Sequence, residues 1–266
     1  MKNRIAVTVV VVIVVGIIAA YFYWQQQQQQ PEPVQVQAIL PPPSPPEPIA
    51  QQVIETVPAQ PPLPELSESD KFMLDTLAEL IGNQSLMKLF HAERIIRRIV
   101  ATVDNLPRER VPLSVSPVSP APGAFLTEGP EDDKTISPKN AARYALHVKV
   151  AEAVDAQKLV EIYVRLYPLF QQAYEELGYP KKYFNDRLLV AIDNMLAAPD
   201  PKKPVRLVQP HVLYQFADPK LEARSAGQKI LMRMGSGNAA KIKVKLREIK
   251  QQIMLHMRDK KLDSTG

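Results

Sequence analysis

The chain has 266 residues, 26 of them proline and none cysteine, with a formal net charge of +5. A proline share of nearly one in ten, against the usual proportion of about 5%, means that part of the chain forms no packed domain. The missing cysteines exclude disulfide scaffolds, thiolate zinc sites, iron–sulfur clusters and cysteine nucleophiles. His91, His147, His211 and His256 are at least 45 residues apart, so no local imidazole pair exists, and neither a metal nor a cofactor is expected.

Residues 5–24 read IAVTVVVVIVVGIIAAYFYW, twenty residues without a charge. At about 1.5 Å per residue they span the roughly 30 Å hydrocarbon core of a bilayer. Seven of the first eleven are valine, a poor helix former in water, but in lipid every backbone group must bond within the segment, so a helix is imposed. Tyr21 to Trp24 form an aromatic belt at one end, Lys2 and Arg4 flank the other, and no further Lys or Arg follows until Lys71. The positive-inside rule then leaves residues 1–4 as a cytoplasmic tail and exports everything after Trp24. A cleaved signal peptide fits less well, because the apolar stretch exceeds the usual length of about 7–15 residues and Ile18 stands where cleavage after Ala20 needs a small residue.

Residues 25–66 open with six glutamines and hold 12 of the 26 prolines. Proline removes backbone donors and favours polyproline II, so this segment is expected to be a disordered linker acting as a semi-rigid stalk. From residue 67 to 261 the chain is expected to form one predominantly helical globular domain, with a disordered tail over 262–266. Ser67 or Ser69 can cap a first helix ending at Gly82, and a second helix is predicted over Ser85–Asn105, stopped by Pro107. Phe125 and Leu126 are the expected anchor of the proline-spaced stretch that follows, and Glu131 to Asp133 read as a solvated loop.

Helical periodicity resumes at Asn140. Asp155 is placed to cap a helix through Leu159, Ile162, Leu166, Leu169, Ala173 and Leu177, closed by Gly178, and a further stripe runs through Phe184, Leu188, Ile192 and Leu196. Weak alternation on either side of Gln209-Pro210 allows at most a short β-hairpin. Asp218-Pro219 opens a helix predicted to reach Met234 and stop at Gly235. In the last segment Ile242, Leu246, Ile249, Ile253 and Met257 keep helical spacing longer than Lys241 to Leu246 keep strand spacing, so a terminal helix is predicted. The fold class is mainly α.

The runs ATVDNLPR (Ala101 to Arg108), LYPLFQQAYEELGYP (Leu166 to Pro180), YFNDRL (Tyr183 to Leu188) and SAGQKILMRMG (Ser225 to Gly235) resemble those of the proteobacterial domain-of-unknown-function family numbered 3014. The resemblance covers about Leu66 to Lys250. It implies a Gram-negative envelope setting, with a membrane anchor and a proline-rich linker ahead of the domain, and it carries over no catalytic residue.

No nucleophile elbow, Walker loop, dinucleotide-binding glycine motif or zinc-protease motif is present. Gly235 to Asn238 is read as a turn with Asn238 capping the last helix. Asp104 and Asn105 at one helix end, and Tyr183, Asn185, Asp186 and Arg187 at another helix start, are candidate interaction or ligand residues. A carboxylate beside an arginine can orient a ligand or act as a base, although such a pair more often fixes helix packing. Tyr163, Tyr167, Tyr174, Tyr179 and Tyr183 cluster in sequence, which suggests a ligand groove, while their approximately helical spacing also fits half-buried core positions with wet hydroxyls. From residue 66 onward 31 basic and 24 acidic residues leave a net +7. Lys241, Lys243 and Lys245 head a basic terminal helix with its lysines outside, able to meet anionic lipid or acidic glycans. The expected function is that of an interaction or scaffold protein anchored in the bacterial inner membrane through residues 5–24, its domain periplasmic. An envelope protein or glycan is the expected partner and nucleic acid is not. An envelope hydrolase acting on cell-wall or lipid material, or a periplasmic ligand-binding module, are the alternatives.

Overall fold

A computed structural model describes the backbone of residues 62–263 and the side chains as far as residue 257. The expected cytoplasmic tail and transmembrane helix and most of the expected linker lie outside these residues, as does the end of the expected C-terminal tail. The described chain is mainly helical, with ten helices and four two-residue strands.

Helix α1 (Ser69–Ile81) follows a single 3-10 turn at Leu66–Glu68. Ser69 is buried and its hydroxyl donates to the Leu66 carbonyl at 2.8 Å, so it ties turn to helix rather than capping α1. Gly82 ends the helix as expected, at φ 64° in the left-handed conformation that a glycine adopts without strain. Leu66 itself is buried in the core, and Leu63 packs against it.

The helix predicted over Ser85–Asn105 is divided into α2 (Gln84–Met87) and α3 (Ile95–Asn105). Asp70, on α1, accepts hydrogen bonds from the amides of Arg94 (2.6 Å) and Ile95 (2.9 Å). It therefore caps α3 from more than twenty residues upstream. Arg94 takes a positive φ of 52° to present those amides. Apolar periodicity carries no trace of a cap supplied by another helix.

Most of the core lies where α3 meets α6 (Ala156–Glu176) and α7 (Phe184–Leu196). Asp155 caps α6 as predicted, accepting the Lys158 amide at 2.8 Å. The buried face of α6 is set by Val160, Tyr163, Leu166, Tyr167, Leu169, Phe170, Ala173 and Tyr174. Tyr163, Tyr167 and Tyr174 are thus core residues, not half-buried ones, and Leu177 is exposed. Pro168 sits inside α6 with its ring on the solvent side, where the lost amide costs one helical hydrogen bond. Helix α7 buries Phe184 and Ile192 as expected. The short α4 (Asn140–Arg143) and α5 (Ala145–Ala153) lead into α6.

The predicted hairpin is present, with β3 (Leu207–Val208) antiparallel to β4 (Gln215–Phe216). A second pair, β1 (Thr127–Glu128) with β2 (Thr135–Ile136), exceeds the single hairpin expected. The amide of Ile136 donates to Val205 (3.0 Å) and that of Leu207 to Lys134 (2.7 Å), which joins the two pairs. Two-residue strands are too short to show alternation. Phe125 packs on the Leu207–Phe216 cluster as expected, whereas Leu126 is partly exposed. Asp218 caps α8 (Pro219–Glu222) with proline at the first position, but α8 ends there. Ser225 then caps a separate α9 (Ala226–Arg233), which stops at Met234 before Gly235 at φ 86°. Helix α10 (Ser236–Asp263) includes Asn238, whose amide donates to Ala141 and Met234 carbonyls instead of capping the helix.

Candidate functional site

Asp104 ends the buried face of α3 and is only 4% exposed. Its carboxylate accepts from Arg187 Nε (2.9 Å), Arg108 Nη2 (2.7 Å) and the Tyr179 hydroxyl (3.3 Å). Its backbone carbonyl accepts from Arg187 Nη2 and from Arg108 Nε. The two guanidinium groups therefore meet both the side chain and the free carbonyl at the C-terminus of α3, where the helix dipole favours cations. The Asp104 carboxylate, against the cost of burial, raises the Arg108 pKa above its ordinary value, and Tyr179 adds to the effect. Arg108 Nη2 also donates to the Tyr179 hydroxyl (2.6 Å), and Tyr179 stacks on Tyr174 at 4.6 Å. The arrangement locks α3 to the start of α7. Asn105 turns back on its own helix, its amide donating to the Ala101 carbonyl at 2.7 Å.

At the start of α7, Tyr183 is the N-cap residue but offers no side-chain cap. Gln171 of α6 replaces it, accepting the Phe184 amide at 2.9 Å and the Tyr167 hydroxyl at 3.1 Å while donating to the Lys182 carbonyl at 2.9 Å. Asn185 is fully buried, with its amide 3.5 Å from Met257 Sδ and its Oδ1 accepting no hydrogen bond among the described residues. Burial pushes the Asp186 carboxyl upward. Burial, helped by the Asp186 and Tyr183 charges, raises the Tyr167 hydroxyl to about 12. Burial likewise lifts Tyr163 well above the ordinary phenol, with Tyr167 and Asp186 adding to the shift, and raises Tyr174. The shifts favour the neutral form of these tyrosines.

The three candidate lysines lie toward the other end of α7. Lys241 pairs with Glu152 at 2.7 Å. Lys243 donates to the Ala198 carbonyl, just past the C-terminus of α7, and Lys245 to the Val154 carbonyl (2.8 Å), just past that of α5. Lys245 also pairs with Glu248, and its side chain is 19% exposed. The expectation of lysines standing free outside the helix is thus corrected, because two of them close helix ends. The apolar stripe of α10 docks as predicted, with Ile253 buried and Leu246, Ile249 and Met257 half-buried beside it. Ile253→Ala is expected to destabilise the domain by about 2–5 kcal/mol, and the half-buried Leu246→Ala by less. Changing Lys241, Lys243 and Lys245 together to glutamine is expected to cost about 0.3–1 kcal/mol for each lost helix-end contact. Urea unfolding of the variants measures both.

The structure therefore brings Asp104 and Arg187 together, gives Tyr183, Asn185 and Asp186 to the same helix start, and leaves the lysines elsewhere. Sequence reasoning missed Arg108 and Gln171, and it placed Tyr179 at a half-buried position without its partners; the polar side chains of all three, within or beside the buried face of α6 and α3, were the available signal. It also missed a cavity of about 220 Å³ between α1, α3, α6, α7 and α10, to whose wall no polar atom is exposed. Among the described residues no group of three or more histidines or carboxylates gathers to hold a metal. The family model described as "Protein of unknown function (DUF3014)" matches residues 95–250, more than half of the chain. No curated protein and no solved structure matches.

Proposed function

This chain belongs to the DUF3014 family of proteins of unknown function, and from that premise we propose that it is a membrane-anchored interaction or scaffold protein of the Gram-negative envelope. Residues 5–24 cross the inner membrane, the N-terminus stays in the cytoplasm, and the helical domain stands in the periplasm. The observation that carries this reading is where the fold begins. Among the described residues the core begins with Leu63 and Leu66, beside Pro61, Pro62 and Pro64 at the end of the proline-rich segment, which supports reading that segment as a spacer. Fully extended as polyproline II, residues 25–62 reach about 120 Å, enough for the domain to search for an envelope protein or glycan away from the bilayer. Nucleic acid is not a partner in that compartment. The engagement of Asp104 with Arg187, and of Lys243 and Lys245 with helix ends, favours recognition over catalysis.

The chain has no cysteine of its own, so single introduced cysteines report topology without background. In spheroplasts, a membrane-impermeant maleimide is expected to label the full chain carrying Lys158→Cys and to spare Asn3→Cys until detergent is added. The reverse pattern contradicts the orientation, and labelling of both before detergent contradicts the anchor.

A further inference from the structure

We infer that the cavity between α1, α3, α6, α7 and α10 binds the hydrocarbon tail of a single-chain lipid of the fatty-acid type. This goes beyond the scaffold reading, from which the closing experiment takes only the membrane anchor at residues 5–24, as its control. No polar atom is exposed to the wall of the cavity, so a polar group placed inside would give up its water without any replacement partner. The occupant must therefore be hydrocarbon where it is buried. At about 220 Å³ the space is larger than a dry cavity of about 150 Å³ that takes up benzene. Covering this apolar wall with hydrocarbon removes it from water, which is favourable.

Shape selects the kind of hydrocarbon. The wall follows α6 from Leu159 to Phe170 and α7 from Phe184 to Ile192, runs of about 16 Å and 12 Å at 1.5 Å per residue. A single alkyl chain laid along that length meets helices on both sides, and a volume of about 220 Å³ is too small for two such chains. Val160, Phe184 and Ile253, each 1% exposed, form its depth. The half-buried Ile99, Leu188 and Ile249 carry the wall to the surface. A carboxyl head can stay in water there while the tail lies between the helices. Tyr163 contributes its ring to the wall, and its raised hydroxyl pKa keeps that ring neutral beside the chain.

The test uses the full chain reconstituted in phosphatidylcholine vesicles and dodecanoic acid carrying a diazirine near its terminal methyl. After illumination, labelled peptides are expected from α6 and α10, and excess unlabelled dodecanoic acid is expected to suppress them. A phosphatidylcholine with the same diazirine on one of its two tails is expected to label the segment at residues 5–24 but not α6 or α10. Val160→Phe, which fills the depth of the slot, is expected to reduce α6 and α10 labelling roughly tenfold while membrane-segment labelling is unchanged. Leu188→Phe, at the half-buried wall, gives the same readout should Val160→Phe lose its helical circular dichroism. Labelling of α6 and α10 that persists in a folded filling variant, that resists competition, or that the two-tailed probe reproduces overturns the proposal. So does dodecanoate labelling confined to residues 5–24.

Discussion

Replacing Phe184 by alanine is expected to lower the unfolding free energy by about 3–5 kcal/mol, read as a shift in the urea midpoint by circular dichroism. Phe184 is 1% exposed and is the first residue of α7. Its ring stacks on Phe170 at 5.7 Å with only 8° between planes, and it meets Tyr174 at 5.7 Å and Tyr163 at 6.4 Å. Four rings from two helices thus share one contact, beyond the area each buries. Its amide is also the one that Gln171 holds. The void left by alanine would adjoin an existing cavity that Phe184 helps to line, so the surrounding helices have little freedom to collapse into it. Val190→Ala, on the same helix but 51% exposed, is expected to change stability by no more than about 0.5 kcal/mol. Against a total of about 5–15 kcal/mol, the loss of Phe184 removes a large share of what keeps the domain folded.

Asp104→Ala is expected to cost a similar amount, about 3–5 kcal/mol, by a different route. The carboxylate is 6% exposed and faces Arg187, itself 22% exposed. Without it the Arg187 guanidinium keeps a single carbonyl partner in surroundings too dry to hydrate it. Arg108 is 48% exposed and can turn to water, so the penalty falls chiefly on Arg187 and on the Tyr179 hydroxyl. Asp104→Asn retains an acceptor for one guanidinium nitrogen but not the charge, and its expected cost is smaller, about 1–3 kcal/mol. The two variants in one unfolding series distinguish loss of charge from loss of contact.

What could be read from the sequence was whatever the chain settles within a few residues. Gly82, Asp155, Asp218-Pro219 and Gly235 act where they stand, because a left-handed glycine or a capping carboxylate needs only its own neighbours. The elements that went unread depend on distant partners. Asp70 interrupts the helix predicted over Ser85–Asn105 from α1, and Gln171 supplies from α6 the cap that Tyr183 lacks. The same division runs through the candidate residues. Asp104 and Arg187 could be singled out as a charged pair beside helix ends, but their joining through a helix C-terminus follows from the crossing of α3 and α7. Lys243 and Lys245 looked like a solvated basic face because the carbonyls they meet belong to Ala198 and Val154, distant in sequence. A cavity shared by five helices leaves no local signature, since each lining residue reads simply as apolar.

Asp104, Arg187, Lys243 and Lys245 are engaged in holding helices together. A double-mutant cycle of Asp104→Ala and Arg187→Ala in the full chain, followed by urea unfolding of the domain, decides most directly whether this cluster serves the fold. The coupling is expected to be about 1–3 kcal/mol, with the double variant less destabilised than the sum of the single ones, because removing both partners leaves no unpaired charge. Single variants that leave stability within about 0.5 kcal/mol of the original, with effects that simply add, would contradict a structural role and return Asp104 and Arg187 to the candidates for ligand chemistry.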